Sequence, residues 1–192
     1  MTIIEPLEQE LVVLLDERRE PIGSAPKATV HTTSTALHLA FSCHVLDDDG
    51  RMLVTRRALS KVAWPGVWTN ACCGHPAPGE SMEAAVRRRL QDELGAEVGQ
   101  LELALPDFAY RAVDASGIVE NEVCPVFVGR VVGALDPDPT EVAEWQWVEP
   151  DQLLAGIRAT PWAFSPWLVL QAEQLGIFDT PAPPAARWDR AS

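Results

Sequence analysis

The sequence predicts a single α/β domain built on a mixed β-sheet with flanking helices. Short apolar runs alternate with turn residues along most of the 192 residues, and only a few segments have helical periodicity. The chain contains no internal repeat and no composition shift that marks a domain boundary. Apolar residues make up 47% of the chain, which is enough for one hydrophobic core.

The elements can be placed in order by their apolar runs and turn residues. Strands are predicted at 11–15, 37–46, 51–57, 118–132 and 145–148, with an apolar stretch at 101–111 that Pro106 breaks. A turn at 47–50 joins the second and third strands as a hairpin, and Pro125 indicates an edge or a bulge in 118–132. Turns or loops are expected at 18–23, 58–68, 114–117 and 160–167, the last rich in aromatic residues. The segment 27–35 is polar and contains His31. Helices are expected at 81–95, at 150–157 and from 167 to about 176.

The chain ends are expected to differ from the folded domain, which we place at 11–178. Residues 1–10 are acidic and are expected to be flexible. Residues 179–192 contain three prolines and no periodicity, and are expected to form a flexible tail.

The helix at 81–95 has clear start and stop signals. Ser81 can accept a hydrogen bond from a free backbone N–H of the first turn, and Gly95 suits the left-handed position after the last turn. Apolar residues at helical spacing predict the buried face: Met82, Ala85, Val86, Leu90 and Leu94. Two pairs of opposite charge lie four residues apart: Arg88 with Asp92, and Arg89 with Glu93. Taken alone, this pattern fits an amphipathic helix with solvated ion pairs.

The net charge of −13 disfavours nucleic acid as a partner, because the phosphates would be repelled. Basic residues nevertheless cluster at 56–61 and at 87–89. A local cationic pocket in an acidic protein suits a small polyanion. The alternative is that acidic neighbours simply pair with these basic side chains.

Neither a membrane span nor a disulfide framework is expected. No apolar run reaches the roughly 20 residues that a spanning helix needs, and the N-terminus does not read as a signal peptide. The four cysteines form no C-x-x-C pair: Cys43, Cys72, Cys73 and Cys124. The cysteine pattern makes the reducing cytoplasm the expected setting. We also expect a monomer.

A group of metal-ligating residue types is spread over separate predicted elements. Glu120 and Glu122 lie two apart on a strand, so both carboxylates share one face about 7 Å apart. With three histidines, His31, His38 and His75, they could bind a divalent transition metal. A solvated strand face and buried core histidines are the alternative interpretations.

Three further side chains could take part in chemistry. Cys73 lies beside Gly74 in a loop where a ligand can approach closely, although most lone thiols are buried and inert. Tyr110 is the only tyrosine, and Trp167 lies with Trp162 in the aromatic stretch. An indole face can stabilise a cation, but both ring types are more often packed in a core.

The segment from Gly74 to Ala96 resembles the Nudix box. Matching positions carry the expected residue types: Gly74, Glu80, Arg88, Leu90, Glu93, Gly95 and Ala96. Two positions depart from the box, since Arg89 and Asp92 stand where Nudix hydrolases have glutamates. The resemblance implies a Nudix-like fold. Arg89 reverses the charge at a metal-binding position, which argues against diphosphate hydrolysis.

Four segments together resemble the type I isopentenyl-diphosphate isomerases of the Nudix superfamily: TRRALSK, AWPGVWTNACCGHP, GIVENEVCPVF and TPWAFSPW. The likeness extends from about residue 11 to 176. It implies interconversion of isopentenyl and dimethylallyl diphosphate, in isoprenoid biosynthesis, by proton addition and removal through a tertiary carbocation. A small prenyl diphosphate would be the partner.

The resemblance also implies roles for particular residues. Mn²⁺ or Zn²⁺ would be bound by five residues: His31, His38, His75, Glu120 and Glu122. Cys73 and Glu122 would be the proton-transfer pair on opposite faces of the alkene, with Tyr110 assisting and Trp167 stacked on the carbocation. The diphosphate would be held by four cationic residues: Lys27, Arg57, Lys61 and Arg89. Mg²⁺ would bridge the diphosphate near Glu93 and the Cys73 carbonyl.

Two other functions remain open at this point. The first is hydrolysis of nucleoside diphosphates by a Nudix enzyme, against which Arg89 and Cys73 argue. The second is a metal-binding or regulatory Nudix module without catalysis, against which the full set of acid, base and aromatic residues argues.

Overall fold

The computed structural model describes residues 10–178. The segments expected to be flexible, 1–10 and 179–192, therefore lie outside the described residues except for Glu10. The strands are β1 (Leu11–Leu15), β2 (Pro21–Pro26), β3 (His38–Leu39), β4 (Phe41–Leu46), β5 (Met52–Arg57), β6 (Trp68–Thr69), β7 (Cys72–Gly74), β8 (Glu97–Leu105), β9 (Ala109–Val113), β10 (Val119–Val123), β11 (Val126–Val132) and β12 (Val142–Val148). The helices are α1 (Lys27–Val30), α2 (Met82–Leu94), α3 (Pro150–Ala159) and α4 (Pro166–Ala172), with single 3₁₀ turns at Pro161–Ala163 and Gly176–Phe178.

The strands form two mixed sheets. The first has the order β2-β1-β3-β10-β9, and the second has the order β12-β5-β4-β11-β8, with β6 on β5 and β7 on β4. β3 pairs with β10 and β4 pairs with β11 in parallel, and the other strand pairs are antiparallel. The predicted α/β class with mixed pairing is confirmed.

Two predicted strands are each divided between the sheets. The segment 37–46 forms β3 and β4, and the segment 118–132 forms β10 and β11. Of the two alternatives for Pro125, the edge is wrong, since β10 and β11 both have neighbours on each side. The bulge agrees with the structure, because the register of β11 against β8 shifts between Val126 and Phe127, directly after Pro125. The physical reason is that proline has no N–H to continue a ladder, so the chain turns there into the second sheet.

The two chain crossings lie side by side. The Ala40 N–H donates to Val123 O at 2.9 Å, and the Ser42 N–H donates to Pro125 O at 3.1 Å. Backbone pairing therefore continues through the corner. This corner brings β3 and β10 of the first sheet close to β4 and β7 of the second. The expectation that Cys73 lies in a loop is wrong, because it pairs with Ser42 in the β4–β7 ladder.

The first hairpin differs from the sequence prediction. The turn between β1 and β2 runs from Asp16 to Glu20, with Asp16 Oδ1 accepting from the Arg18 and Glu20 N–H groups. The predicted turn at 18–23 overlaps the start of β2, which is exposed and contains two prolines and a glycine. Such a strand has no alternating pattern to reveal it.

The structure confirms the predicted helix at 81–95 as α2, with both caps. Ser81 Oγ accepts from the Ala84 N–H at 3.3 Å, and Gly95 has φ 58°. The core face differs in part, because Met82 is half-buried whereas Arg89 and Glu93 are buried. The alternative of solvated ion pairs therefore does not hold for Arg89 and Glu93, whose charged groups are buried.

Helices cover both faces of the second sheet. α2 packs on the face that carries Phe41, Cys43 and Val45, whereas α3 and α4 pack on the opposite face around Met52 and Val54. Alternation along β4 and β5 thus supplies two apolar cores. In the part of the chain that the structure describes, no helix is long and apolar enough to cross a membrane.

The aromatic stretch at 160–167 is not entirely a loop. Ser165 Oγ accepts from the Leu168 N–H at 3.4 Å and caps α4, so Trp167 lies in the first helical turn. Trp167 is buried at 2% exposure, whereas Trp162 is 81% exposed. The helix that Ser165 caps therefore directs the Trp167 indole into the protein, whereas the Trp162 indole remains exposed.

Candidate active site

A cavity of about 760 Å³ is lined by residues of both sheets. Most of the predicted site residues line it: Lys27, His31, Arg57, Lys61, Cys73, His75, Arg89, Tyr110, Glu120, Glu122 and Trp167. The other two lie directly behind its wall. His38 Nε2 is 3.4 Å from Glu122 Oε1, and Arg89 Nε donates to Glu93 Oε1 at 3.1 Å.

Four side chains converge as possible metal ligands. His31, His38, His75 and Glu122 each offer one ligand atom, and these atoms all lie within 4.8 Å of one another. Glu120 adjoins the group, with Oε2 3.0 Å from His31 Nε2. All five residues are buried or nearly so. The solvated strand face that the sequence left open for the two glutamates is therefore excluded.

The orientation of the histidine rings favours a bound cation. His38 Nδ1 donates to Ala36 O at 2.9 Å, which leaves its Nε2 lone pair facing Glu122. Four buried atoms of the cluster form no hydrogen bond to the described residues: His31 Nε2, His38 Nε2, His75 Nδ1 and Glu120 Oε2. Buried polar atoms without partners are costly, and a metal ion would satisfy them. The donor set of imidazoles and carboxylates suits a divalent transition metal.

Burial and neighbouring charges shift the pKa values of the cluster members in different directions. Burial lowers the pKa of His75 to about 4, which keeps the ring neutral and able to ligate. Burial also opposes ionisation of Glu122, but its contacts with His38 and His75 outweigh burial and hold its pKa well below the usual range. Burial and the adjacent Glu122 charge raise the pKa of Glu120. A cation here would allow both carboxylates to be ionised together.

We predict that loss of a cluster ligand removes bound metal. Protein purified with Mn²⁺ or Zn²⁺ should carry a stoichiometric ion, whereas His31→Ala and Glu120→Ala should lose it in elemental analysis. His44→Asn is the matched control, because His44 lies outside the cluster and bonds to Gln171 at 2.9 Å. Full metal content in both ligand variants would show that the site is elsewhere.

A protonated thiol and an ionised carboxylate face the cavity from different sheets. Cys73 lies on β7 of the second sheet, and burial raises its pKa to about 12, although hydrogen bonds with Ser42 and Asn70 oppose this. Glu122 lies on β10 of the first sheet. Two titratable groups held in opposite protonation states are the arrangement that acid–base chemistry requires.

Tyr110 is the cross-strand neighbour of Glu122. The two residues are directly paired in the β9–β10 register, so their side chains share one sheet face. Burial raises the pKa of Tyr110 well above its usual value, so the phenol stays protonated and can donate a hydrogen bond. The sequence left open whether Tyr110 is a core residue or a catalytic one. In the structure Tyr110 is buried and also lines the cavity.

The Trp167 ring is held firmly at the cavity wall. Its Nε1–H lies 2.9 Å from Thr69 Oγ1 and 3.0 Å from Asn70 Oδ1, and the ring contacts Trp64 edge to face at 5.6 Å between centroids. The Arg57 Cζ lies 5.4 Å from the ring centroid. The π-face is therefore already in contact with a cation, as its negative quadrupole favours.

The basic residues that cluster in the sequence lie in two different places in the structure. Arg87 and Arg88 form ion pairs outside the cavity, with Glu83 at 2.9 Å and with Glu80 at 2.8 Å. The cavity cations have carboxylate or carbonyl partners: Lys27 with Glu10 at 2.5 Å, Lys61 with Glu141, Arg89 with Glu93 and Glu141, and Arg57 with Ala63 O at 2.9 Å. Pairing with acidic neighbours thus occurs in both sets, and the difference is that Lys27, Arg57, Lys61 and Arg89 also line the cavity.

Gly74 permits the close packing of Arg89 beneath the cavity. A Cβ at this position would lie 2.9 Å from Arg89 Cγ and 3.0 Å from Phe41 Cζ. Both contacts are shorter than packed carbon atoms allow. Glycine is thus required here by the close approach of Arg89 and Phe41.

Several polar residues around the site were not foreseen from the sequence. Glu141 bonds to both Lys61 and Arg89, and Ser42 and Asn70 contact the Cys73 sulfur. Asn70 stands in the quoted segment AWPGVWTNACCGHP, and its proximity to the cysteines was the available signal. Glu141 and Ser42 come from other parts of the chain, and no sequence signal linked them to the site.

Comparison with known proteins assigns the fold to a family. The profile described as the NUDIX domain matches residues 36–168. The chain therefore belongs to the Nudix family. Among curated proteins, an isopentenyl-diphosphate Delta-isomerase of Clavibacter michiganensis is 59% identical over 189 residues, covering 94% of this chain and 97% of that protein. One from Agromyces mediolanus is 64% identical over 166 residues, covering 86% and 81%. These relatives place the chain within the isopentenyl-diphosphate Delta-isomerases of the Nudix family.

Solved structures agree on the fold. A Deinococcus radiodurans protein has a TM-score of 0.67 at 20% identity, covering 86% of this chain and 99% of its own. A MutT NUDIX hydrolase from Burkholderia pseudomallei has a TM-score of 0.57 at 23% identity, covering 72% and 97%. At such identities the likeness concerns the fold alone.

Proposed function

We propose that this chain interconverts isopentenyl diphosphate and dimethylallyl diphosphate by moving a proton through a tertiary carbocation. The observation that carries the proposal is the pairing of the Cys73 thiol with the Glu122 carboxylate across one cavity whose rim is cationic. The curated relatives are named for this reaction. The pathway served would be isoprenoid biosynthesis.

The cationic rim would bind the diphosphate. Lys27, Arg57, Lys61 and Arg89 line the cavity together, and guanidinium groups match phosphate geometry well. Mg²⁺ would neutralise diphosphate charge near Glu93 and the Cys73 carbonyl, and Mn²⁺ or Zn²⁺ in the histidine cluster would supply positive charge beside Glu122. The diphosphate is not the reacting part of the substrate. Its binding energy at the rim would therefore serve to orient the reacting carbons of the alkene.

Proton transfer would involve residues on both walls. Cys73 would donate a proton to the terminal alkene carbon, which leaves the positive charge on the tertiary carbon. Glu122 would then remove a proton from the methylene group bonded to that tertiary carbon. Tyr110 would donate a hydrogen bond beside Glu122, as their cross-strand pairing supports. Because an unactivated alkene is a weak base, both groups must be close and water must be excluded from the cation.

Trp167 would stabilise the carbocation. Trp167→Ala should reduce kcat strongly, whereas Trp167→Phe should be tolerated better because a smaller aromatic face remains; a desolvated cation–π contact stabilises by about 2 kcal/mol. Trp162→Ala is the matched control, since that indole is 81% exposed. Steady-state kinetics with thermal unfolding of each variant would check this. Equal kcat for the Ala and Phe variants would refute a role for the ring face.

Nudix hydrolysis is the second candidate, favoured only by the fold. Arg89 opposes it, because this arginine is buried against Glu93 at a position where hydrolases have a metal-binding carboxylate. The direct test incubates the protein with isopentenyl diphosphate and divalent metal. We expect dimethylallyl diphosphate and no inorganic phosphate. Phosphate release from prenyl or nucleoside diphosphates would instead support hydrolysis, and bound metal with no turnover would support a non-catalytic module.

The setting in the cell belongs to the same proposal. All four cysteines are free thiols, which suits the reducing cytoplasm. We also propose that the protein acts as a monomer.

A further inference from the structure

The Cys73 sulfur is surrounded by polar groups that do not reach the cavity. Ser42 Oγ, Asn70 Oδ1 and Asn70 Nδ2 each lie 3.3 Å from Sγ. Ser42 and Asn70 are both completely buried. Buried polar side chains cost free energy unless their hydrogen bonds are satisfied, so the direction of each bond can be worked out by counting donors and acceptors.

Asn70 can offer only its oxygen to the thiol. Its amide nitrogen has two hydrogens, and these are donated to Cys43 O at 3.0 Å and to Cys72 O at 2.8 Å. The 3.3 Å contact of Nδ2 with sulfur is therefore not a third donation. Two other donors lie near Oδ1, the Thr69 hydroxyl at 2.9 Å and the Trp167 Nε1–H at 3.0 Å. Each has a second acceptor, Ser165 Oγ at 2.8 Å for Thr69 and Thr69 Oγ1 at 2.9 Å for Trp167, so a lone pair of Oδ1 is available to the thiol. The Cys73 S–H accordingly donates to Asn70 Oδ1.

Ser42 has the opposite polarity. His44 Nε2 is 2.9 Å from Gln171 Oε1, and Gln171 Nε2 donates to Ser42 Oγ at 2.9 Å. The Cys124 thiol also donates to Ser42 Oγ, at 3.7 Å. Because the Ser42 oxygen accepts from these groups, its own hydrogen is free to point at the Cys73 sulfur, its direct neighbour in the β4–β7 register.

We propose that Asn70 and Ser42 are positioning residues that fix the Cys73 thiol for proton transfer. Asn70 accepts from the S–H in the resting site, and Ser42 donates to the sulfur throughout. When the proton leaves, the alkene π pair forms the new C–H bond and the S–H pair stays on sulfur. The Ser42 hydroxyl then faces developing negative charge, where its hydrogen bond strengthens. This inference rests on the proposed isomerase function.

The kinetic test compares two adjacent residues of β4. Ser42→Ala should lower kcat roughly 10- to 100-fold with little change in KM, because the hydroxyl stabilises charge only as the proton moves. Cys43→Ala is the matched control, since it also deletes one atom from a completely buried side chain but packs in the opposite core near α2. Gln171→Met, which keeps the volume but removes the donor to Ser42, should change kcat in the same direction by less.

The outcomes separate this inference from the isomerase assignment. Active wild-type protein with equal kcat in Ser42→Ala and Cys43→Ala would overturn the positioning role alone, whereas inactive wild-type protein would overturn the proposed function. The Raman S–H band of Cys73, assigned by difference against Cys73→Ala, tests Asn70 without turnover. We expect the lowered frequency of a hydrogen-bonded donor in the wild type and a higher frequency in Asn70→Ala. If that variant does not fold, a free-thiol frequency in the wild type would still refute the role of Asn70.

Discussion

Cys73→Ala is expected to abolish isomerisation. Among the described cysteines, Cys73 is the one that lines the cavity. Burial raises the pKa of its thiol to about 12, so it is protonated at neutral pH. An alkene accepts a proton only from a close and correctly oriented acid, so no neighbouring group can replace it. The measurement is conversion of isopentenyl diphosphate by the purified variant over long incubation, with far-UV circular dichroism to show that it is folded.

Cys72→Ala provides the control for this prediction. Cys72 is the adjacent residue, but it is buried in the core that faces α2. Its loss should lower stability slightly through a small cavity and leave most of the turnover. An epoxide analogue of the substrate should label Cys73 in the wild type, as peptide mass spectrometry would show. Equal loss of activity in both variants would contradict the assignment of Cys73.

Glu122→Gln is expected to reduce kcat by about 10²- to 10⁴-fold, as removal of a general acid–base group typically does. The change keeps the shape of the side chain but removes the charge that His38 and His75 stabilise. Asn121→Ala is the control on the same strand, because period-two geometry directs Asn121 to the other face of β10. Steady-state kinetics at saturating metal would separate lost chemistry from weakened metal binding.

The result that would contradict this prediction is also specific. If Glu122→Gln retained wild-type kcat at saturating metal, Glu122 would be a ligand without a part in proton transfer. Tyr110 would then be the nearest alternative, since it is paired with Glu122 across the strands.

The order of secondary structure could largely be predicted, because strand alternation and helix caps are local signals. Ser81 and Gly95 predicted both ends of α2. The division into two sheets could not be predicted in the same way. It depends on which neighbours each half of a continuous apolar segment finds, as in 118–132, and Pro125 shows only that the ladder is interrupted.

The members of the candidate site could be predicted mainly through resemblance. From the residues alone, Glu120 and Glu122 share a face by strand geometry, but nothing local indicates that His31, His38 and His75 join them. Their approach results from the corner at Ala40 and Pro125, where two parallel crossings bring both sheets together. Long-range assembly of this kind is set by packing and not by spacing in the sequence.

The polar surroundings of the site were the least predictable part. Arg89 and Glu93 have helical spacing that fits a solvated pair, yet the fold buries both. Burial of a charge pair depends on what lies against it, here the segment before β12, where the Asp138 N–H donates to Glu93 O at 2.9 Å and Glu141 lies 3.4 Å from Arg89. The same holds for Ser42 and Gln171, which are 129 positions apart in the chain and meet only in the folded core.

The most direct test of the isomerase account is turnover in deuterated water. Isopentenyl diphosphate, protein, Mg²⁺ and Mn²⁺ would be incubated in D₂O, and the products followed by ¹H and ²H NMR. Because the acid exchanges its proton with solvent before donation, we predict deuterium in a methyl group of dimethylallyl diphosphate, with no inorganic phosphate. Product without label, or steady release of phosphate, would contradict proton transfer through Cys73 and Glu122 and would favour hydrolysis.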